Sequence, residues 1–132
     1  MKVGINGFGR IGRNVFRAAL SRDADIDVVA VNDVTDRGTL AHLVRYDSVL
    51  GPYSGEVSPT ERGIAVNERE IIVLAERDPA RLPWGDLGIE LVLESTGLFT
   101  ERAKAAAHLE AGARKVISVS YTHLRAHETG RN

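Results

Sequence analysis

The sequence contains no cysteine. Within these 132 residues there can therefore be no disulfide, no thiolate metal site and no cysteine nucleophile. An excess of charge of one sign is also missing, because 17 basic residues are balanced by 18 acidic ones. The net charge of −1 gives no electrostatic reason to expect nucleic acid or an anionic membrane as a partner.

Long apolar runs are absent as well. No stretch approaches the ~18 apolar residues that a membrane-spanning helix needs, and the first residues lack the long hydrophobic segment of a signal peptide. With 43% hydrophobic and 27% charged residues, the composition is typical of a soluble globular protein. The length is that of one domain, and we expect a cytoplasmic location.

Short apolar runs alternate with segments of helical spacing along the chain. The apolar runs predict strands at Lys2–Asn6, Ile26–Val31, Ile89–Leu93 and Lys115–Ile117, and a hairpin from Gly63–Val66 and Glu70–Leu74. Helices are predicted from the spacing of Ile11, Val15, Phe16, Ala19 and Leu20, over Leu40–Val44 and over Glu101–Ala111, with a helix-start signal at Asp78 and Pro79. This alternation favours a doubly wound α/β fold with a mostly parallel sheet.

Gly7, Gly9 and Gly12 form a G-x-G-x-x-G pattern between the first predicted strand and the first predicted helix. The pyrophosphate of a dinucleotide is bound by backbone N–H groups at a helix N-terminus. Gly7 would permit the tight turn, Gly9 would let the backbone approach phosphate, and Gly12 would let the helix lie close to the strand. The alternative is an ordinary turn, which glycines also mark.

An acid at the end of the next strand extends the pattern. Asp33 follows Asn32 and lies 21 positions after Gly12, where a carboxylate accepts hydrogen bonds from the adenosine ribose. Because such an acid repels a 2′-phosphate, it favours NAD over NADP. The alternative interpretation of Asp33 is a turn residue or a helix cap.

Five segments of the chain match a known family in the family's own order. They are GINGFGRIGR, VNDVTD, LVRYDS, ERDPARLPWGDLG and VLESTGLFTERAKAAAHLEAGARKVI. Together they resemble the N-terminal part of phosphorylating glyceraldehyde-3-phosphate dehydrogenases, from Lys2 to Ile117. The resemblance implies a Rossmann-type NAD-binding domain over residues 1–118, incomplete at its C-terminal end, and a catalytic domain that these residues do not include.

The resemblance also implies the residues that bind NAD. Asn6 would brace the loop, Arg10 and Ile11 would offer backbone N–H groups to the pyrophosphate, Arg77 would border the adenine, and Thr96 would flank it together with a phenylalanine. The full implied set is Asn6, Gly7, Gly9, Arg10, Ile11, Gly12, Asn32, Asp33, Arg77, Ser95, Thr96, Gly97 and Phe99. Without the resemblance, Ser95–Gly97 could be a plain turn and Phe99 a core aromatic.

The family's reaction needs a residue type that this chain lacks. A cysteine thiolate attacks the aldehyde, a histidine takes the proton, hydride passes to NAD, and phosphate releases 1,3-bisphosphoglycerate. We therefore expect no catalytic residue here and no activity of the chain alone. Glyceraldehyde 3-phosphate and phosphate would be partners of the full-length enzyme only, which is usually a homotetramer in this family. Alternatives are an erythrose-4-phosphate dehydrogenase, a non-catalytic NAD-binding module, and an unrelated nucleotide-dependent dehydrogenase or epimerase.

The character of the sequence changes after Ser118. Residues 119–129, VSYTHLRAHET, resemble the translation of a transposon-end adapter used in short-read sequencing libraries. We expect residues 119–132 to be a non-native, disordered tail, the alternative being a divergent C-terminus. His123 and His127 are four apart, but without a third ligand they do not predict a metal site.

The other conspicuous side chains have structural interpretations. We expect His42 and His108 to be helix residues and not catalysts, Trp84 to be a packing anchor, and Arg13, Arg17 and Arg22 to lie on the solvated face of the first helix.

Overall fold

A computed structural model gives the arrangement of most of the chain. The described residues are 1–21, 26–34, 37–47, 51–52, 56–66, 69–96 and 101–118, without the side chains of residues 20, 21, 37, 47, 51, 52, 101 and 104. Arg22, Gly97, Phe99 and the segment 119–132, with its two histidines, lie outside the described residues.

Strands and helices alternate in the described part of the chain. The elements are β1 (Lys2–Asn6), α1 (Arg10–Ser21), β2 (Asp27–Asn32), α2 (Arg37–Arg45), β3 (Tyr46–Asp47), β4 (Gly51–Pro52), β5 (Val57–Pro59), β6 (Gly63–Val66), β7 (Arg69–Leu74), a 3₁₀ helix (Pro79–Arg81), β8 (Leu91–Glu94), α3 (Glu101–Glu110) and β9 (Lys115–Ser118). Within the described residues, none of the helices is long and apolar enough to cross a membrane.

Seven strands form one sheet in the order β5-β6-β7-β2-β1-β8-β9. The strands from β7 to β9 in this order are parallel, while β5 and β6 join β7 as an antiparallel edge. The chain places β2 on one side of β1 and β8 on the other, so the strand order reverses at β1. This is the Rossmann order without a sixth parallel strand in the described residues, and it confirms the predicted fold class.

Hydrophobic clusters cover both faces of the sheet. On one face, Phe16 of α1 and Leu40 of α2 pack with Ile5. On the other, Trp84 packs with Val92 of β8 and with residues around α3. Trp84 is fully buried, as predicted for a packing anchor. Helical segments on both faces are what double winding requires.

The main sequence-based elements are confirmed, with two differences. The helix-start signal at Asp78 is real, since its carboxylate accepts a hydrogen bond from Ala80 N at 3.1 Å, but the helix is a single 3₁₀ turn. It stops because Pro83 follows and holds Leu82 in an extended conformation, with ψ of 139°. The short strands β3, β4 and β5 had no sequence signal.

Candidate functional site

A cleft of about 510 Å³ lies where three neighbouring parallel strands end, with β1 between β2 and β8. This is the point at which the strand order reverses, where ligands bind in open α/β sheets. The residues that line the cleft are Asn6, Gly7, Gly9, Asn32, Asp33, Val34, Glu76, Arg77, Ser95 and Thr96.

The loop from β1 to α1 needs glycine at two positions for different reasons. Gly7 has a φ of +95°, and a Cβ there would lie 2.8 Å from Thr96 Cγ2. A Cβ on Gly12 would collide with the carbonyl oxygen of Gly7 and lie 3.2 Å from Ile5 Cγ2. The first turn of α1 is therefore pressed against the strand end, which is the close approach that the glycine pattern predicts.

Gly9 differs from both, because a Cβ there would meet no protein atom within 4 Å. Its missing side chain leaves open space inside the cleft. Behind it, Arg13 N donates to Gly9 O at 2.9 Å and closes the first turn of α1. The N–H groups of Arg10 and Ile11 precede that bond, so the helix itself supplies no acceptor for them. Such a helix start attracts an anion.

Asp33 ties the end of β2 to the same loop. Its Oδ2 accepts a hydrogen bond from Phe8 N at 2.7 Å, and its own N–H donates to Leu74 O at 2.9 Å. The carboxylate is only partly buried and lines the cleft. The backbone therefore orients this carboxylate at the wall of the cleft.

Arg13 takes part in this loop, which the sequence did not indicate. Its Nη1 donates to Phe8 O at 3.0 Å, and the side chain is partly buried. The sequence predicts Arg13 on the solvated face of α1; like Arg17 it is only partly exposed, and it also contacts the loop. An arginine one turn into a helix can reach back to the carbonyls before it, but its position alone does not distinguish that contact from exposure to solvent.

A chain of side-chain amides crosses the strand ends beneath the cleft. Asn32 Nδ2 donates to Asn6 Oδ1 at 2.7 Å and to Glu76 O at 2.8 Å. Asn32 Oδ1 accepts from Glu76 N at 2.8 Å. Both asparagines are buried. These bonds hold β1, β2 and the segment after β7 in one arrangement.

Glu94, the last residue of β8, is completely buried and accepts four hydrogen bonds. Its Oε1 accepts from Asn6 Nδ2 and from His108 Nε2, both at 2.7 Å. Its Oε2 accepts from Thr96 N at 2.9 Å and from Thr96 Oγ1 at 2.6 Å. Burial alone would raise the pKa of this carboxyl, but the hydrogen bonds from His108, Thr96 and Asn6 outweigh burial and lower that pKa from 4.5 to about 2.

His108 is a fully buried helix residue with a bond at each ring nitrogen. Trp84 Nε1 donates to His108 Nδ1 at 2.9 Å. Because an indole N–H can only donate, Nδ1 must accept, and the ring proton is on Nε2, which faces Glu94. The pair is therefore a neutral imidazole that donates to an ionised carboxylate. The sequence interpretation of His108 as a non-catalytic helix residue did not include this contact.

The turn after β8 completes the cleft wall. Ser95 Oγ donates to Gly7 O at 2.6 Å, and Ser95 N donates to Asn6 O at 2.9 Å. Thr96 follows with the two bonds to Glu94 described above. The turn is thus attached to the glycine loop and to the buried carboxylate, which explains its fixed position beside Gly7.

Most of the sequence-predicted binding residues line the cleft. The first turn of α1 contains three more of them, Arg10, Ile11 and Gly12, which do not line the cleft themselves. The last two, Gly97 and Phe99, lie outside the described residues. Sequence reasoning missed Val34 and Glu76, although each is the immediate neighbour of a residue that it selected. Among the described residues, no group of three or more histidine, cysteine, aspartate or glutamate side chains could hold a metal ion.

Comparison with known proteins agrees with this geometry. The family described as "Glyceraldehyde 3-phosphate dehydrogenase, NAD binding domain" matches residues 1–102. The chain is 65% identical over 117 residues to a glyceraldehyde-3-phosphate dehydrogenase of Geobacillus stearothermophilus. It is 63% identical over 117 residues to glyceraldehyde-3-phosphate dehydrogenase 1 of Bacillus subtilis. Each match covers 89% of this chain and 35% of the relative, so the chain spans about a third of the length of these relatives.

The low pKa of Glu94 predicts a specific dependence of stability on pH. The pKa is about 2 in the folded state against 4.5 in the unfolded chain. The ionised carboxylate therefore stabilises the fold above pH 4.5, and this contribution, at most about 3 kcal/mol, is lost as the pH falls from 4.5 towards 2. We expect Glu94→Gln to lower the free energy of unfolding at neutral pH, and its difference from wild type to shrink over this acid range.

Urea denaturation from neutral pH to about pH 3 measures this difference. Glu90→Gln is the matched control, because Glu90 is an exposed glutamate just before the same strand. It should follow the wild-type curve. A Glu94→Gln protein whose difference from wild type stays constant down to pH 3 contradicts the prediction.

Proposed function

This chain belongs to the glyceraldehyde-3-phosphate dehydrogenase family through its NAD binding domain, and on that premise we propose that the cleft at the ends of β1, β2 and β8 is the NAD site. The observation that carries the proposal is the open space at Gly9, beside the first turn of α1, whose leading N–H groups have no acceptor within the helix. A Cβ would fill this cradle, and the backbone around it presents N–H groups, which suit a pyrophosphate.

The loop residues would hold the pyrophosphate by their backbone. Arg10 and Ile11 would donate their N–H groups to it, while Gly7 and Gly12 allow the loop to curve tightly around it. Asn6 would act from below, by fixing the strand end through its bonds to Asn32 and Glu94. This assignment uses the partial positive charge at the helix start and needs no basic side chain.

The far end of the cleft would hold the adenosine. Asp33, oriented by Phe8 N, would accept hydrogen bonds from the two ribose hydroxyls. Arg77, exposed at the rim, and Thr96 would border the adenine. Gly97 and Phe99 would complete this end, by resemblance to the family. A carboxylate at Asp33 repels a 2′-phosphate, so we propose a preference for NAD over NADP.

We propose further that residues 1–118 are the NAD-binding part of a phosphorylating enzyme. The full-length protein would oxidise and phosphorylate glyceraldehyde 3-phosphate to 1,3-bisphosphoglycerate, as a homotetramer in the cytoplasm. Bound NAD supplies the hydride acceptor. The nucleophile of this reaction is a thiolate, and the chain has no cysteine. The residues present would therefore bind and orient the cofactor without performing the chemistry, and 119–132 would form no part of the domain.

Two glycine variants test the cradle. Gly9→Ala should weaken NAD binding about tenfold or more, because its methyl group would occupy the space for phosphate. Its free energy of unfolding should stay within about 0.5 kcal/mol of the wild-type value, since a Cβ on Gly9 would have no protein atom within 4 Å. Gly12→Ala is the contrasting variant: its collision with Gly7 O should lower stability by about 1–3 kcal/mol and, by distorting the same loop, should also weaken NAD binding.

Calorimetric titration with NAD and thermal unfolding separate these effects. A Gly9→Ala protein that binds NAD as tightly as wild type contradicts a pyrophosphate site at this loop.

The role of Asp33 is tested by Asp33→Asn. Asparagine keeps an oxygen for Phe8 N but removes the charge that repels a 2′-phosphate. We expect NAD affinity to fall and the ratio of the NADP to the NAD dissociation constant to narrow by about tenfold. Asp86→Asn, at an exposed position outside the cleft lining, should change neither constant. An unchanged ratio in Asp33→Asn rules out this role.

An activity assay tests the proposal that this chain binds NAD without catalysing the reaction. The purified chain, supplied with glyceraldehyde 3-phosphate, NAD and phosphate, should form no NADH. The same assay with the full-length enzyme of Geobacillus stearothermophilus serves as the positive control. Phosphate-dependent NADH formation by this chain would refute the proposed absence of catalysis.

A further inference from the structure

We propose that Glu94 is a positioning residue for the cofactor cleft, and that His108 and Trp84 act on the cleft through it. The proposal rests on the proposed function, because it assigns to the same NAD site the residues that set its shape. None of the three side chains lines the cleft. Their effect would pass through Asn6 on one side and Thr96 on the other.

The first branch fixes the direction of two amides. Asn6 must turn its NH₂ group towards Glu94 Oε1, so its oxygen faces Asn32. Asn32 must then donate to Asn6, and its own oxygen accepts from Glu76 N. Each amide orientation follows from the one before, and the first is set by the carboxylate. Asn6, Asn32 and Glu76 all line the cleft, so this branch sets the positions of three residues in its wall.

The second branch fixes the opposite wall. Glu94 Oε2 accepts both the N–H and the hydroxyl of Thr96. These two bonds hold Thr96 against Gly7. The contact is close, since a Cβ on Gly7 would lie 2.8 Å from the methyl carbon Cγ2 of Thr96. Movement of Thr96 would therefore change the space beside the glycine loop.

The rear of the network keeps His108 in one tautomer. Trp84 Nε1 donates to Nδ1, so only Nε2–H is available to Glu94. The indole is itself fixed, since it is fully buried and packs on Gly4 of β1, where a Cβ would lie 2.7 Å from its Cζ3. Trp84 does not line the cleft, but it stabilises the Nε2–H tautomer of His108, which donates to Glu94.

Only a carboxylate satisfies this arrangement. Four donor hydrogens converge on Glu94, and an ionised carboxylate has acceptor sites for all of them on its two oxygens. A glutamine offers one oxygen and one NH₂ group. If the NH₂ group faces Thr96, two donors there lose their acceptor. If it faces His108, the ring proton must move to Nδ1, where it meets the N–H of Trp84.

The experiment compares NAD affinity per folded molecule in three variants. Glu94→Gln should weaken binding about tenfold, and Trp84→Phe, which removes the indole donor together with part of the buried ring, about threefold. Val66→Ala is the control for lost packing, since Val66 is buried in the cluster on the opposite face of the sheet and lies outside the cleft lining. It should lose stability but keep its affinity within about twofold. Folded Glu94→Gln and Trp84→Phe proteins with wild-type affinity overturn the proposal.

NMR of the free chain separates this proposal from the NAD function. In wild type, the ¹⁵N shifts of His108 should report an Nε2–H tautomer. In Trp84→Phe, the NMR signals of the side-chain amides of Asn6 and Asn32 and of the backbone amide of Thr96 should shift, while Val66→Ala should leave them in place. Failure of wild type to bind NAD would contradict the proposed function alone. Amide signals that do not respond to Trp84→Phe overturn the positioning role.

Discussion

The shape of the cleft depends on the hydrogen bonds that the buried carboxylate of Glu94 accepts. An ion without partners in a protein interior costs several kcal/mol, so Glu94 is tolerated only when its acceptor sites are filled. Its donors come from β1, from α3 and from the turn after β8. Those elements must therefore pack in one arrangement before the carboxylate is satisfied. The same arrangement brings the strand ends together around the cleft.

The glycine loop, Asp33 and the parallel strands could be predicted from the sequence because each depends on residues close together in the chain. The glycine loop could be placed because a tight turn and a close helix leave a fixed spacing between Gly7 and Gly12. Asp33 could be placed because one helix and one strand separate it from that loop. The parallel strands followed from apolar runs that are covered on both faces. In each of these cases the signal lies within about 30 residues, the length of one βαβ unit.

The network beneath the cleft has no such local signal. Asn6 and Glu94 are 88 positions apart, and Trp84 and His108 are 24 apart. His108 could be predicted as a helix residue and Trp84 as a buried anchor, and both predictions hold. Their hydrogen bond depends on how α3 and the 3₁₀ segment pack on the sheet, which periodicity does not encode. The role of Glu94 was missed for the same reason, because a single glutamate at a strand end carries no pattern.

The same hydrogen bonds engage the hydroxyl groups and the imidazole that lie in or behind the cleft wall. A nucleophilic hydroxyl needs a base within hydrogen-bond reach. Ser95 Oγ donates to Gly7 O, and Thr96 Oγ1 donates to a carboxylate whose low pKa makes it a weak base. His108 has both ring nitrogens engaged and no exposed surface. The side chains of Ser95, Thr96 and His108 are thereby engaged in holding the cleft wall together.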